Sequence, residues 1–164
     1  MKPMFLRLAL AFALSLALVA GAQAEPATMP TLSVKTLDGG TFDLAAERGK
    51  WVIVNFWATW CSPCIKEMPD ISHLVESRPD VTAIGLAFGD EEVADVQAFL
   101  KKHPVKYPVA NVPIAEPPKD FVRPKGLPTT YLIAPDGTVA KKFTGPVTAG
   151  DLEKAIAAGS SKKS

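Results

Sequence analysis

The chain has 164 residues, 48% of them hydrophobic, a size and composition that make one globular domain with a full core. Eighteen Lys and Arg stand against 17 Asp and Glu, a formal charge of +1. That near-balance gives no electrostatic basis for holding nucleic acid or an anionic surface.

At the N-terminus, Lys2 and Arg7 flank the start of an apolar run from Leu8 to Ala20, and Ala22-Gln23-Ala24 fits the small-x-small cleavage rule. The run is shorter than the roughly 20 residues a spanning helix needs. Residues 1–24 are therefore expected to be a signal peptide cut after Ala24 rather than an uncleaved anchor, with no nearby cysteine to carry a lipid. The mature chain is thereby addressed to the periplasm. It loses Lys2 and Arg7, which leaves 16 basic against 17 acidic residues. Residues 25–158 form the domain, and Gly159 to Ser164 (GSSKKS) reads as a polar tail.

Within the domain, Leu32 to Thr36 and the turn Asp38-Gly39-Gly40 predict a small strand or hairpin ahead of the core. Trp51 to Trp57 (WVIVNFW) is a run of β-branched and aromatic residues, as expected of a strand buried on both faces. Past the cysteines, Ile65, Met68, Ile71, Leu74 and Val75 recur at helical spacing, with a kink expected at Pro69. Val81 to Ala87 is a second buried strand, and Glu91 to Lys102 an amphipathic helix. Six prolines between His103 and Gly126 predict loops, with at most a short helix near Lys119 to Val122. Thr129 to Ala134 and Thr138 to Thr144 flank Pro135-Asp136-Gly137, a hairpin turn, and a helix capped by Asp151 closes the chain near Ala158. This order describes an α/β fold, a three-layer sandwich with a central mixed sheet covered by helices on both faces.

Both cysteines lie in Phe56-Trp57-Ala58-Thr59-Trp60-Cys61-Ser62-Pro63-Cys64, where a strand turns into a helix. A bridge across two residues closes so small a loop that stapling is a poor reason for the spacing. A cysteine at the mouth of a helix, by contrast, meets unpaired N–H groups and the positive end of the dipole, which favour a thiolate. Cys61 has that place; Cys64, one turn in, can attack a mixed disulfide on Cys61 and close the ring. Pro63 suits the first helical turn, where its missing donor costs nothing.

These residues resemble the active-site segment of the thioredoxin superfamily, and Cys64-Ile65-Lys66-Glu67-Met68-Pro69 with Gly126-Leu127-Pro128-Thr129-Thr130 resembles its extracytoplasmic TlpA/ResA branch, over roughly Thr31 to Ala158. The resemblance implies a thioredoxin-like fold and a thiol-disulfide oxidoreductase without cofactor or metal. Cys61 and Cys64 are its catalytic pair. Glu67 stands in for the buried Asp of thioredoxins proper, whose strand position here holds Asn55. A cis peptide precedes Pro128, opposite the cysteines; Trp60, Ser62, Pro63 and Leu127 form the surface that meets the partner. The implied partners are dithiols or disulfides of exported proteins, such as apocytochrome c or copper-site cysteines. A membrane thiol transporter of the DsbD/CcdA type would donate electrons to a monomeric reductant.

The same cysteines have two alternative uses. Cys61 and Cys64 with His73 and His103 would make a Cys2His2 ligand set for zinc or copper, although neither histidine has finger spacing. A redoxin-type peroxidase would need Thr59 and Arg123 to polarise peroxide at Cys61.

Overall fold

The computed structural model describes residues 28–161. The predicted signal peptide lies outside the described residues, as do the last three residues of the tail.

The chain opens with a two-stranded antiparallel hairpin, β1 (Ser33–Lys35) and β2 (Thr41–Asp43), followed by a 3-10 helix at Leu44–Glu47. Then come β3 (Trp51–Trp57), α1 (Ser62–Ser77), β4 (Val81–Phe88), α2 (Val93–Lys102), β5 (Val109–Val112), β6 (Thr129–Ile133), β7 (Val139–Thr144) and α3 (Ala149–Ser161). The main sheet has the order β5-β4-β3-β6-β7, with β3, β4 and β5 parallel and β6 and β7 antiparallel to their neighbours. It is the mixed sheet the sequence predicts.

β3 is central, and all seven of its residues are buried, which explains its continuous apolar run. Its side chains alternate between two cores. Ile53 and Trp57 join one with Met68, Ile71 and Leu74 of α1, Val96 of α2, and Leu152 and Ile156 of α3. Val52, Val54 and Phe56 join the other with Phe42 of the hairpin, Leu44 of the 3-10 helix and Phe121. The three layers are thus α1–α3, the sheet, and the hairpin with the 3-10 helix and the 113–128 segment; all three α-helices pack on the cysteine face, not on both faces as the element order suggested, because the stretch expected to cover the second face carries Phe121 in on a turn and forms no helix.

Three details differ from the sequence reading. β5 forms inside the proline-rich stretch expected to be loop: Pro108 ends just before it, its carbonyl accepting from Gly85 N–H at 3.0 Å, so a four-residue edge strand fits between prolines. Residues 119–122 form a turn, within the loop expectation, from which Phe121 enters the second core, edge-on to Tyr131 at 5.1 Å. The cap of the last helix is Thr148, not Asp151. Thr148 Oγ1 accepts from Asp151 N–H at 3.2 Å while Thr148 N–H donates to the Asp151 carboxylate at 3.1 Å. Asp151 occupies the third helical position of a reciprocal capping box, a place that a lone Asp before an apolar run does not distinguish from a cap. The helix also continues to Ser161, into the stretch read as tail. α1 stays helical through Pro69, whose ring removes the donor to the Ile65 carbonyl.

Candidate active site

The carboxyl end of β3 delivers the chain to a tight turn in which Cys61 N–H donates to the Ala58 carbonyl at 3.1 Å. Cys61 is the N-cap of α1, and its sulfur accepts from Cys64 N–H at 3.3 Å. Anion stabilisation at that sulfur therefore has a visible donor in addition to the helix dipole. Cys61 and Cys64 are joined by a disulfide, 2.07 Å between sulfurs, with Cα atoms 5.3 Å apart. Cys61 keeps 4% of its surface exposed and Cys64 none. Of the two, only Cys61 offers surface to another molecule. Around it, Ser62 and Pro63 are exposed, and Trp60 is 67% exposed, an unusual state for so large an apolar ring.

Glu67 lies one turn beyond Cys64 and is 2% exposed. A solvated surface glutamate is thereby ruled out. Asn55, buried in β3, donates its amide to Glu67 Oε1 at 2.7 Å and to Thr130 Oγ1 at 2.9 Å, while Val147 N–H donates to Glu67 Oε2 at 2.8 Å. Burial pushes the carboxyl from an ordinary 4.5 to about 7; the two hydrogen bonds oppose the shift, and the charge of Asp70 adds to it. Asn55 thus does more than fill the core: it holds the acid in place.

Residues 26–142 match the AhpC/TSA family. The thiol-disulfide oxidoreductase ResA of Bacillus thuringiensis subsp. konkukian is 38% identical over 128 residues, spanning 76% of this chain and 72% of that protein. The chain belongs to the AhpC/TSA family, as a ResA-type thiol-disulfide oxidoreductase. A thioredoxin-family thiol:disulfide interchange protein of Chlorobium tepidum TLS superposes with a TM-score of 0.69 at 30% identity, over 84% of this chain and 99% of that one. A secreted Mycobacterium tuberculosis disulfide oxidoreductase homologous to E. coli DsbE superposes with a TM-score of 0.66 at 27% identity, over 77% and 95%.

In this ResA-type protein the Leu127–Pro128 peptide is cis. Pro128 is buried and half-buried Leu127 packs against the core that contains both cysteines. The arrangements needed by the rival chemistries are not assembled. His73 is exposed on α1 and His103 stacks on Phe99 at 4.4 Å, and among the described residues no three His, Cys, Asp or Glu side chains gather as a metal site. The Thr59 hydroxyl is engaged by Glu91, and Arg123 is exposed on the 113–128 segment.

That Thr59–Glu91 contact is a site feature the sequence reading missed. Thr59 donates its hydroxyl to the Glu91 carboxylate, and its N–H at 3.4 Å, while the Glu91 carbonyl accepts from the Asn111 amide of β5 at 2.9 Å. Glu91 thereby ties the turn that presents Trp60 and Cys61 to the β4–α2 connection. The same tie explains why α2 begins at Val93 and not at Glu91. Within Asp90-Glu91-Glu92 nothing separates a tether from ordinary helix-start acids. Glu91→Ala is expected to slow Cys61-dependent reduction of insulin by three- to tenfold and to cost about 1 kcal/mol of stability. Stopped-flow rates with thermal melts check it; an unchanged rate would show that the turn is held without Glu91.

Proposed function

We propose that this protein works outside the cytoplasm as a reductant of cysteine pairs in exported proteins. Cys61 attacks the partner's disulfide, Cys64 resolves the mixed disulfide, and the partner leaves as a dithiol while Cys61–Cys64 becomes oxidised. Two electrons and the disulfide bond change places, so atoms and charge balance. The observation that carries the reading is the Cys61–Cys64 pair across the first turn of α1, Cys61 keeping a little exposed surface and Cys64 fully buried one turn from an acid.

Glu67 would take the Cys64 proton during resolution. Trp60, Ser62 and Pro63 would offer the partner an apolar, exposed platform. Leu127 would add main-chain pairing: its N–H and carbonyl make no hydrogen bond among the described residues, which leaves them free for an extended peptide. Leu127 packs against the cysteine core, and Pro128, which follows it across the cis peptide, is buried.

The extracytoplasmic address is supported by the apolar N-terminal run with its Ala22-Gln23-Ala24 site and by a secreted relative of the same fold. The partner class proposed is cysteine pairs that must be reduced before they bind a haem or a metal, the apocytochrome c and copper-site thiols. In an oxidising compartment the spent disulfide needs an outside source of electrons, for which a membrane thiol transporter of DsbD/CcdA type is the proposed donor to a monomeric protein.

The deciding measurement is the Cys61–Cys64 equilibrium with glutathione. A reductant should poise well below the −180 mV or so of an isomerase. A potential near about −120 mV, that of a strong oxidant, would overturn the reading.

A further inference from the structure

In the β1–β2 hairpin, Leu44 N–H donates to the Leu32 carbonyl at 2.9 Å and Thr36 N–H to the Gly40 carbonyl at 3.1 Å. Even-numbered residues of β1 therefore bond to β2, and Ser33 and Lys35 turn their N–H and C=O groups outward. The same parity holds on β5. The Pro108 and Val112 carbonyls accept from Gly85 N–H at 3.0 Å and Gly89 N–H at 3.1 Å, so Val109 and Asn111 present their main chain away from β4. The two outward edges meet once, where Leu37 N–H donates to the Val109 carbonyl at 2.8 Å. Continued from that bond, an antiparallel zipper would pair Lys35 with Asn111 and Ser33 with Pro113. It does not form: Pro113 has no N–H to give, and the N–H and C=O groups of Ser33, Lys35 and Asn111 have no partner among the described residues. These four residues instead line a cleft of about 650 Å³, with Val34, Val112 and Pro118.

An open strand edge is a template for another extended chain, and here two edges border one cleft. We propose that it receives an extended segment of the partner protein, held by main-chain hydrogen bonds to β1 and β5 while the partner's cysteine is engaged at Cys61. The inference deepens the proposed reductant function and rests on it. Position argues for that occupant. Asn111, Ala87 and Trp57 stand in one register line across β5, β4 and β3, so the cleft edge is two strand spacings, roughly 10 Å, from Trp57. Trp57 precedes Cys61 by four residues, at most about 14 Å of chain. A partner segment of roughly seven extended residues spans the sum. The cleft is also bonded to the active-site turn: the Asn111 amide donates to the Glu91 carbonyl at 2.9 Å, and the Glu91 carboxylate accepts from Thr59 N–H at 3.4 Å. Its charged lining is mixed, Lys35 and Lys119 against Asp43 and Glu116. The cleft therefore selects an extended backbone and not a net charge.

The test uses the Cys64→Ala protein and synthetic peptides with one cysteine activated as an aryl disulfide. A short peptide has about five residues, and long ones add about eight more, on one side of the cysteine or the other. In the covalent complex with a long peptide of the fitting direction, amide exchange at Ser33, Lys35 and Asn111 should slow about tenfold or more. With the short peptide it should keep the rate of the free protein. The reduced wild type should turn over that long peptide with a KM about five- to tenfold lower than the short one and the same kcat. N-methylation of the extension removes its donors without touching the protein, and should return the KM to the short-peptide value. Unprotected amides in both long complexes, or equal KM for all lengths, overturn the cleft reading and leave thiol exchange at Cys61 standing. Protection that appears without peptide and grows with protein concentration makes a second copy the occupant, and overturns it as well. If no peptide forms a complex with Cys61, the reductant reading falls and this inference with it.

Discussion

Cys61→Ser is expected to reduce disulfide exchange to the background rate, while Cys64→Ala keeps the first attack and loses the second. The asymmetry follows from exposure and electrostatics. Of the two cysteines Cys61 alone keeps any exposed surface, and it sits at the helix mouth with the Cys64 N–H donating to its sulfur; a serine hydroxyl there would not ionise. With Cys64 gone, the Cys61–partner bond has no neighbouring thiol to open it. Cys64→Ala should therefore accumulate a covalent partner complex, seen as a thiol-sensitive mass shift in extracts of the expressing cell. The same gel would identify the partner. Should Cys64→Ala release products at the normal rate, or Cys61→Ser retain attack, the two roles assigned to the sulfurs would be wrong.

The elements whose residues are buried on a strict pattern are legible in the sequence: β3 through its unbroken apolar run, α1 through its 3–4 spacing, the β6–β7 hairpin through Pro135-Asp136-Gly137. β5 is not, because four residues between prolines carry no period, and their pairing depends on β4 lying alongside. The cysteine pair is legible from its spacing at a strand–helix junction. The environment of Glu67 is not. It is built from residues 12 and 80 positions away, Asn55 and Val147, and the latter contributes a backbone N–H that no side-chain pattern could announce. Glu91 escapes notice for the same reason. A tether is a relation between elements, and only the assembled sheet brings it to the site.

Glu67→Gln is expected to slow resolution of the mixed disulfide by about a hundredfold at neutral pH, at the low end of what a positioned general base contributes. Residues three apart on a helix are neighbours, which puts Glu67 on the same face of α1 as Cys64. With its midpoint pushed up to about 7 by burial, the group is half ionised at neutral pH and can both accept and release a proton there. The wild-type resolving rate should thus climb through a midpoint near 7; in Glu67→Gln that step should vanish, leaving only the pH dependence of the unassisted thiol. Stability gives a second, independent reading. The folded protein holds the Glu67 proton more tightly than the unfolded chain does, so this stabilisation is complete below about pH 4.5, declines as pH rises, and is lost above about 7. The full loss amounts to at most about 3 kcal/mol. Denaturant melts of the oxidised wild type should therefore weaken between pH 5 and 8, and those of Glu67→Gln should stay level across the same window. A mutant that loses the rate step but keeps the stability slope would show that some other buried group, and not Glu67, binds the proton on folding.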